Sequence, residues 1–308
     1  MTARPLATLH ALLEAALHEP PAEARRLLHG RGRRWPGLEQ ITVDWLQGVL
    51  LVSLFRAPAT GELEELRRRL AELGAQWPTL RILLQHRYTA DSQAEWLQGE
   101  PLEQLRIDED GLGYLIDLGR RQNSGLFLDM RYGRRWVRAN AQGKRVLNLF
   151  AYTCGFSVAA LAGGAERVVN LDMARAALSR GRDNHRLNGH ELSRVEFLDH
   201  DLFKSWGTLR KRGPFDLLII DPPSLQKGSF ALGPDYPRVL RRLPQLLASG
   251  GQVLACLNDP ATGPDFLIEA MQREAPQLRF VERLDNPPEF ADIDPDAALK
   301  VLLFAAPA

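Results

Sequence analysis

One uncharged stretch decides the fold, VLNLFAYTCGFSVAALAGGA at residues 146–165. Twenty residues without a charge match the length of a membrane-spanning helix. The stretch nevertheless contains Asn148, Thr153 and Ser157 together with several glycines, and it divides into an apolar run at 146–150, a turn and a short helix. The pattern therefore predicts a buried strand followed by a helix, and we expect no membrane span here.

The same alternation of strand and helix continues to the end of the chain. Apolar runs predict seven strands, at residues 146–150, 167–171, 195–198, 215–220, 252–257, 279–284 and 299–305. Helical spacing of apolar residues predicts helices at 157–161, 174–188, 202–209, 236–248 and 263–274. Continuous apolar strands joined by helices indicate a parallel sheet covered on both faces. The sequence thus predicts an α/β fold with a doubly wound, Rossmann-like sheet.

The residues before 121 follow another pattern and predict a smaller α+β domain. The expected elements are helices at 6–17 and 62–73, hairpins at 41–55 and 105–116, and a strand at 80–85. Five arginines between residues 25 and 34 crowd around His29 and Trp35. We therefore expect three parts: an N-terminal helix and basic arm at 1–38, the small α+β domain at 39–120, and the domain with the parallel sheet at 121–308.

The composition excludes several classes of protein. Hydrophobic residues make up 45% and charged residues 25% of the 308, so global disorder is excluded. The net charge of +1 excludes a uniformly basic nucleic-acid coat, and any site for a polyanion must be a local patch. Cys154 and Cys256 stand in no CxxC or Cys/His pattern, so we expect no disulfide framework, no metal and a reducing, cytoplasmic location. No secretory signal is expected before residue 20.

Acidic residues follow three of the predicted strands, where a doubly wound sheet binds its ligand. Asp172 is placed to accept both hydroxyls of a ribose. Asp201 is placed to accept from an adenine amino group, while an apolar neighbour such as Leu202 covers the ring. The alternative for both acids is a helix N-cap, because acids suit helix N-termini.

The turn after the first of these strands bears on the type of ligand. Gly155 lets the backbone approach a ligand, and the helix that follows offers free N–H groups. A dinucleotide-binding turn would read GxGxxG, whereas Asn148, Tyr152 and Thr153 are bulky where glycine is required. The pattern favours a nucleoside without a diphosphate, and S-adenosylmethionine (SAM) is the candidate. The alternative is an ordinary turn between a strand and a helix.

The fourth strand ends in the sequence Asp221-Pro222-Pro223-Ser224. Two prolines directly after an acid fix φ and remove two N–H donors, which gives a rigid turn with carbonyls free to accept from a substrate. We therefore predict a catalytic role for these four residues. Simple stiffening of a loop is the alternative.

Residues from about 117 to 308 resemble the class I SAM-dependent methyltransferases. More narrowly, they resemble the subgroup that acts on large-subunit 23S rRNA and includes m5C-forming and m7G-forming enzymes. The resemblance rests on Asn123-Ser-Gly-Leu-Phe127-Leu-Asp129-Met-Arg131, Leu149-Phe-Ala-Tyr-Thr153, Asp172, Asn184 with Leu187-Asn188-Gly189, and Asp221-Pro-Pro-Ser224. It implies SAM as cofactor and a seven-stranded sheet whose last strand is antiparallel.

The resemblance also implies roles for individual residues. In relatives the segment matching 127–131 closes over the cofactor, and Asp221 with its prolines would face the methyl group and the target base. The predicted cofactor-binding residues are Phe127, Asp129, Arg131, Asn148, Phe150, Tyr152, Thr153, Gly155, Phe156, Asp172, Met173, Asp201, Leu202 and Asp221. The predicted catalytic residues are Asp221, Pro222, Pro223, Ser224 and Asn258.

The cysteines bear on which atom receives the methyl group. Methylation of cytosine carbon 5 needs a cysteine thiolate that attacks the ring. In m5C-forming relatives this nucleophile stands six residues beyond the Gly-Gly that opens the fifth strand, and here Leu257 occupies that position. Cys256 comes one residue early, on the opposite face of a strand. Asn258 resembles the Asn of the m7G-forming branch, so the sequence favours a ring nitrogen over carbon 5.

Basic residues suggest RNA as the partner. The arginines at 25–34, with Lys227, Arg238 and Arg241-Arg242, would form a rim that contacts phosphates. Trp35 or Tyr236 would stack a base. Arginine outnumbers lysine 34 to 5, so scattered arginines on a solvated face are the alternative. The predicted function is methylation of a base of 23S rRNA. The alternatives are a methyltransferase acting on a protein or small molecule, and a SAM- or RNA-binding factor without turnover.

Overall fold

A computed structural model describes residues 3–119, 123–223 and 230–307. The chain forms two compact units. One contains the described residues up to Leu128 together with Pro287–Pro295, and the other contains Asp129–Asn286 and the residues from Asp296 onward. This division differs from the predicted three parts, because the described residues before 39 share a sheet and a core with the rest of the first unit.

The first unit is built on a five-stranded sheet, two α-helices and a separate hairpin. Its elements are α1 (Ala3–His18), β1 (Arg25–His29), β2 (Ile41–Trp45), β3 (Val49–Leu54), α2 (Glu62–Gln76), β4 (Arg81–His86), β5 (Ala94–Gln98), β6 (Gln104–Glu109) and β7 (Leu112–Asp117), with 3-10 turns at Gly30–Gly32 and Pro288–Phe290. The sheet has the order β1-β2-β3-β4-β5, and only β3 and β4 run parallel. The hairpin is β6–β7.

Apolar spacing explains these elements. The helix α2 buries Leu66, Leu70 and Leu73, which recur every three or four residues on one face. Both predicted helices, both hairpins and the strand at 80–85 are confirmed. The basic arm at 25–34 is instead partly a strand, because β1 pairs with β2 at the edge of the sheet. The strand β5 was not predicted.

The second unit has one large sheet with helices between its strands. Its elements are α3 (Arg131–Asn140), β8 (Arg145–Leu149), α4 (Gly155–Ala162), β9 (Arg167–Leu171), α5 (Arg175–Leu187), β10 (Val195–Leu198), α6 (Trp206–Arg212), β11 (Phe215–Ile220), α7 (Leu232–Leu240), β12 (Leu247–Leu257), α8 (Asp265–Glu274), β13 (Arg279–Leu284) and β14 (Lys300–Ala305). Short 3-10 turns lie at Leu192–Arg194, Leu202–Lys204 and Leu243–Gln245, and one at Leu128–Met130 precedes α3.

The large sheet has the order β10-β9-β8-β11-β12-β14-β13. Its strands run parallel from β10 to β12, and β14 is antiparallel to both of its neighbours. The predicted α/β, Rossmann-like fold with seven strands and an antiparallel last strand is confirmed. Within the described ranges, no helix has both the length and the apolar character that crossing a membrane requires.

Three helical segments of the second unit differ from prediction. The predicted helix at 236–248 is wrong in its second half, because α7 ends at Leu240 and β12 begins at Leu247. Pro244 lies between them and lacks the N–H that a continuing helix needs. The segment 202–209 is a 3-10 turn followed by α6. The helix α3 was missed, because four arginines among its ten residues mask the buried positions.

Candidate cofactor and catalytic site

The carboxyl ends of five parallel strands meet at one edge of the large sheet. The chain leaves β8 toward β9 on one side and returns beside it as β11 on the other, which makes this edge the switch point where such sheets bind ligands. This edge carries the turn after β8, Asp172 after β9, Asp201 after β10, Asp221 after β11 and Asn258 after β12. The structure thus brings together the predicted strand-end residues.

The turn after β8 has an unusual backbone. Phe150, Tyr152 and Cys154 all have positive φ, at 56°, 47° and 62°. Residues other than glycine rarely adopt this left-handed backbone conformation, because it costs about 1–3 kcal/mol for each residue. Such a conformation persists only where surrounding contacts fix it. We call residues 150–154 the cofactor turn.

Two neighbouring elements fix the cofactor turn. The carboxylate Oδ2 of Asp172 accepts from the Tyr152 N–H at 2.7 Å, and the Asn184 side-chain amide donates to the Thr153 carbonyl at 3.0 Å. The buried Cys154 packs against Gly181 of α5, where an added Cβ would come within 2.3 Å of the Cys154 Sγ. The turn therefore takes its shape from β9 and α5 as well as from its own sequence.

The two strand-end acids, Asp172 and Asp201, also cap the turns that follow them. Oδ1 of Asp172 accepts from the Ala174 N–H at 2.7 Å, and Oδ1 of Asp201 accepts from the Phe203 N–H at 2.8 Å. The capping role considered as the alternative is thus present at both positions. Both carboxylates are only partly buried, and each retains lone pairs for a ligand. Met173, beside Asp172, is 58% exposed.

Asp221 has a perturbed carboxyl group. Burial, helped by Asp129 at the start of the second unit and opposed by the cation of Arg134, raises its pKa from 3.8 to about 7. The first proline, Pro222, is buried. A carboxyl group with a pKa near 7 exists in both protonation states at neutral pH, so it can donate or accept a hydrogen bond.

Several predicted site residues lie elsewhere or are engaged within the protein. Asn148 is 1% exposed within β8, and its amide donates to Asn170 Oδ1 at 2.9 Å, so it does not reach the strand-end edge. Phe156 and Leu202 are buried in the core, and Arg131 is buried in α3. Phe127 belongs to the first unit and is exposed. Ser224, like Lys227, lies outside the described residues.

Both cysteines are buried and un-ionised. Burial raises the pKa of Cys154, with a smaller contribution from Asp172. Burial also raises the pKa of Cys256, and Asp221 and Asp129 add to the rise. The backbone carbonyl of Cys256 accepts from the Tyr236 hydroxyl at 2.9 Å, so Tyr236 is committed to the core. A raised pKa keeps a thiol protonated and poorly nucleophilic.

The sequence did not predict a buried series of hydrogen-bonded side chains that includes Ser157 and His185. Asn170 Nδ2 donates to Ser157 Oγ at 2.9 Å, and Ser157 Oγ lies 2.9 Å from His185 Nε2. His185 Nδ1 in turn lies 3.0 Å from His190 Nδ1, so the hydrogen-bonded series continues through both imidazole rings. Burial lowers the pKa of His185 to about 3, so the ring is neutral. Arg134 and Gly181 were missed as well, because only the folded chain brings them near Asp221 and Cys154.

The fold and the strand-end site define a SAM-dependent methyltransferase. The profile of the family described as S-adenosylmethionine-dependent methyltransferase matches residues 25–305, and the chain belongs to this family. SAM is the cofactor after which this family is described.

Two similar proteins are named Ribosomal RNA large subunit methyltransferase I. The one from Aeromonas salmonicida is 32% identical over 226 residues, covering 71% of this chain and 57% of that protein. The one from Escherichia coli O139:H28 is 33% identical over 240 residues, covering 75% of this chain and 60% of that protein. The matches thus span less than two thirds of these relatives.

A solved structure shows the same fold. The crystal structure of SMU.776, a protein provisionally assigned as a methyltransferase and complexed with SAH, superposes with a TM-score of 0.86 at 23% identity. The superposition covers 98% of this chain and 82% of that chain. At this level of identity the likeness shows the fold alone.

Proposed function

We propose that this chain transfers the methyl group of SAM to a ring nitrogen of a base in 23S rRNA. The names of the two large-subunit rRNA methyltransferases support the RNA substrate. The observation that carries the proposal is the adjacency of two strand ends. Asp221 and its prolines directly follow β11. The strand β11 pairs with β8, and the cofactor turn directly follows β8. A methyl donor at one end and a base at the other would be neighbours.

The residues at the ends of β8, β9 and β10 suit SAM. The Met173 side chain is an exposed apolar group beside a carboxylate, a combination suited to an adenosine, which has a flat face and ribose hydroxyls. Asp172 and Asp201 are each fixed by a backbone N–H, so their remaining lone pairs are already oriented. When bound, SAM supplies a methyl group on a positively charged sulfur. Asp172 would orient its ribose, Asp201 its adenine, and residues 150–155 would line its remaining length.

The residues after β11 and β12 suit a flat polar base. Pro222 and Pro223 have no N–H groups, so their turn offers only acceptors. The Asp221 carboxyl, with its pKa near 7, can donate or accept, and the exposed Asn258 amide can do both at once. These groups would hold the base so that a nitrogen lone pair faces the methyl group. Such an attack requires positioning and exclusion of water, and the Asp221 carboxylate can accept a proton that the base gives up.

The cysteines support nitrogen over carbon 5 as the acceptor. A carbon-5 mechanism needs a thiolate, whereas Cys256 is 1% exposed and its thiol pKa is raised by burial and by two acids. Cys154 is equally buried and packs against Gly181. Neither group has the low pKa and access that mark a reactive cysteine.

The product nucleoside tests the acceptor atom. Ribosomal RNA is incubated with SAM carrying a labelled methyl group, digested to nucleosides and separated. We expect the label in an N-methylated nucleoside, in equal yield from the wild type, Cys256→Ala and Cys154→Ala. Label in 5-methylcytidine that disappears only in Cys256→Ala would overturn the nitrogen assignment.

The salt dependence of binding tests the RNA substrate. Because bound arginines release counterions from RNA, the affinity for 23S rRNA should fall steeply as salt rises. An affinity for RNA that does not change with salt, or label found in protein instead of RNA, would overturn this part of the proposal.

A further inference from the structure

A cleft of about 370 Å³ opens within the first unit. One wall comes from β1 and the turn after it, and the other comes from the segment 287–295. The side chains that line the cleft combine an aromatic ring, an imidazole, a cation, an anion and small apolar groups. They are Leu27, His29, Arg34, Trp35, Pro288, Glu289 and Ala291.

The two walls are fixed to each other at three points. The Ile293 N–H donates to the Gly32 carbonyl at 3.0 Å. Arg33 donates to Asp292 at 2.8 Å. Gly32 lies so close to the second wall that an added Cβ would come within 2.2 Å of the Ala291 carbonyl oxygen. The cleft is therefore preformed, as small-ligand sites usually are.

The arginines around the cleft are not equivalent. Arg26 is committed to Asp44, with 2.5 Å between Nε and Oδ1, and Arg33 is committed to Asp292. Arg34 is exposed and makes no ion pair within the described part of the chain. Glu289 lies only loosely against Arg25, at 3.9 Å. The cleft therefore keeps one available cation and one carboxylate that is not locked in a close pair.

His29 adds a donor to this cleft without adding a charge. Arg26 Nη1 lies 2.8 Å from His29 Nδ1, and because a guanidinium can only donate, the ring proton is on Nε2. Burial, together with the cations of Arg26 and Arg31, lowers the pKa of His29 to about 4, so the ring stays neutral at physiological pH. Trp35 is partly buried against the core and is one of the residues that line the cleft.

We propose that this cleft binds a single unstacked nucleotide of the RNA substrate, one whose base carries an amino group. Trp35 stacks on the base, Arg34 pairs with its phosphate, and the Glu289 carboxylate accepts from the exocyclic amino group. Unpaired bases of RNA are recognised by this combination of an aromatic face, a phosphate contact and hydrogen bonds to the base edge. The inference rests on the proposed function, because it assigns a second contact on the same RNA.

The charge pattern favours a nucleotide over other anionic ligands. An acidic peptide or an inorganic phosphate would meet Glu289 with like charge, whereas a nucleotide presents its phosphate and its amino hydrogens at opposite ends. Cytosine carries an amino group where uracil carries a carbonyl, on a ring of the same size. Glu289 should therefore distinguish these two bases, while Trp35 should not.

Binding of fluorescein-labelled RNA pentamers to the full chain tests the proposal. We expect C5 to bind about tenfold more tightly than U5, and Glu289→Gln to remove this difference. Trp35→Ala should weaken both pentamers by about tenfold. Arg34→Ala should weaken both and lower the salt slope by about one. Arg210→Ala, an exposed arginine in the last turn of α6, is the matched control and should change nothing.

The outcomes separate this site from the proposed function. Arg34→Ala and Glu289→Gln alter side chains at the surface of the cleft, so they remain informative even if Trp35→Ala fails to fold. If the three variants bind the pentamers as Arg210→Ala does while the wild type still methylates 23S rRNA, the cleft assignment is wrong and the proposed function stands. Tight binding of an acidic peptide in place of the pentamers would also overturn the cleft assignment. Methylation of protein with no methylation of RNA would overturn the proposed function itself.

Discussion

The ends of β8 and β11 are neighbours in the sheet, but different interactions fix them. After β11 the chain is stiffened locally, because Pro222 and Pro223 restrict the backbone wherever they occur. After β8 the cofactor turn places three residues at positive φ and depends on Asp172 and Asn184, which are distant in sequence. Substitutions at the β11 end should therefore change the chemistry. Substitutions around the β8 end should change stability and cofactor binding.

The largest expected effect is at the β11 end. In Asp221→Ala the rate of methyl transfer should fall by about 10²- to 10⁴-fold, the range typical of a group that moves or shares a proton with the substrate. Binding of SAM, measured by calorimetry, should be retained. Asp265→Ala, an exposed acid in α8, is the control. Equal losses of SAM affinity and of rate in Asp221→Ala would contradict a role confined to the chemistry.

The next effect is at the β8 end and is steric. In Gly181→Ala the new Cβ would lie 2.3 Å from Cys154 Sγ and 2.8 Å from Cys154 Cβ, so the cofactor turn must move. Overpacking of this kind costs about 1–3 kcal/mol of unfolding free energy, and we expect SAM affinity to fall about tenfold. Both are measured on one preparation, by denaturant titration and by calorimetry.

A second substitution should reverse this effect. Cys154→Gly removes both clashing atoms, and glycine adopts the φ of 62° without strain, so the double variant should regain SAM affinity. Gly207→Ala is the control, because Gly207 lies in α6 with no neighbour near its Cβ position. It should raise stability by up to about 1 kcal/mol. A double variant that binds SAM no better than Gly181→Ala would mean that α5 does not act through Cys154.

A smaller effect should follow loss of the hydrogen bond from α5. Asn184→Ala removes the donor to the Thr153 carbonyl, and SAM affinity should fall by about threefold to tenfold. Asn184→Asp should be worse than Asn184→Ala, because its carboxylate would face a carbonyl oxygen. The measurement is the order of SAM affinity among the wild type, Asn184→Ala and Asn184→Asp. An aspartate variant that binds SAM as well as the wild type would show that this hydrogen bond does not contribute to SAM binding.

A separate effect is a pH dependence that belongs to the β11 end alone. The pKa of Asp221 is about 7 in the folded protein against an ordinary 3.8, so the folded state keeps a proton that the unfolded state loses. Stability should therefore fall as pH rises from about 4 to about 7, and this group should cause no further change in stability outside that window. Asp221→Asn should remove this contribution. Asp129→Asn should lower the upper end of the window, because it removes a charge that raises this pKa.

The sequence predicted the parts of the fold that local patterns determine. Strands such as 167–171 and 215–220 are continuous apolar runs, and they lie where expected. The strand-end acids were found for the same reason, since parallel strands place their carboxyl ends at one edge. The predicted helix at 236–248 extends too far, because the apolar spacing continues past Pro244, where the lack of an N–H prevents a helix from continuing.

The rest of the site depends on contacts between distant residues. Nothing near Gly181 indicates that its missing side chain makes room for Cys154, and nothing near Arg134 indicates that it offsets burial of Asp221. The segment 287–295 follows a strand of the second unit yet belongs to the first. The periodicity of apolar residues along the chain does not predict such contacts between distant segments. The cofactor turn is the clearest case, because its sequence contains no glycine at the three strained positions.

The central claim is that SAM methylates 23S rRNA at the edge of the sheet where Asp221 lies. The direct test offers SAM with a labelled methyl group and one enzyme preparation to unmodified 23S rRNA, 16S rRNA, transfer RNA and bulk protein in parallel, with Asp221→Ala alongside. We predict label in 23S rRNA alone and its loss in Asp221→Ala. Label confined to protein, or equal labelling by Asp221→Ala, would contradict the account.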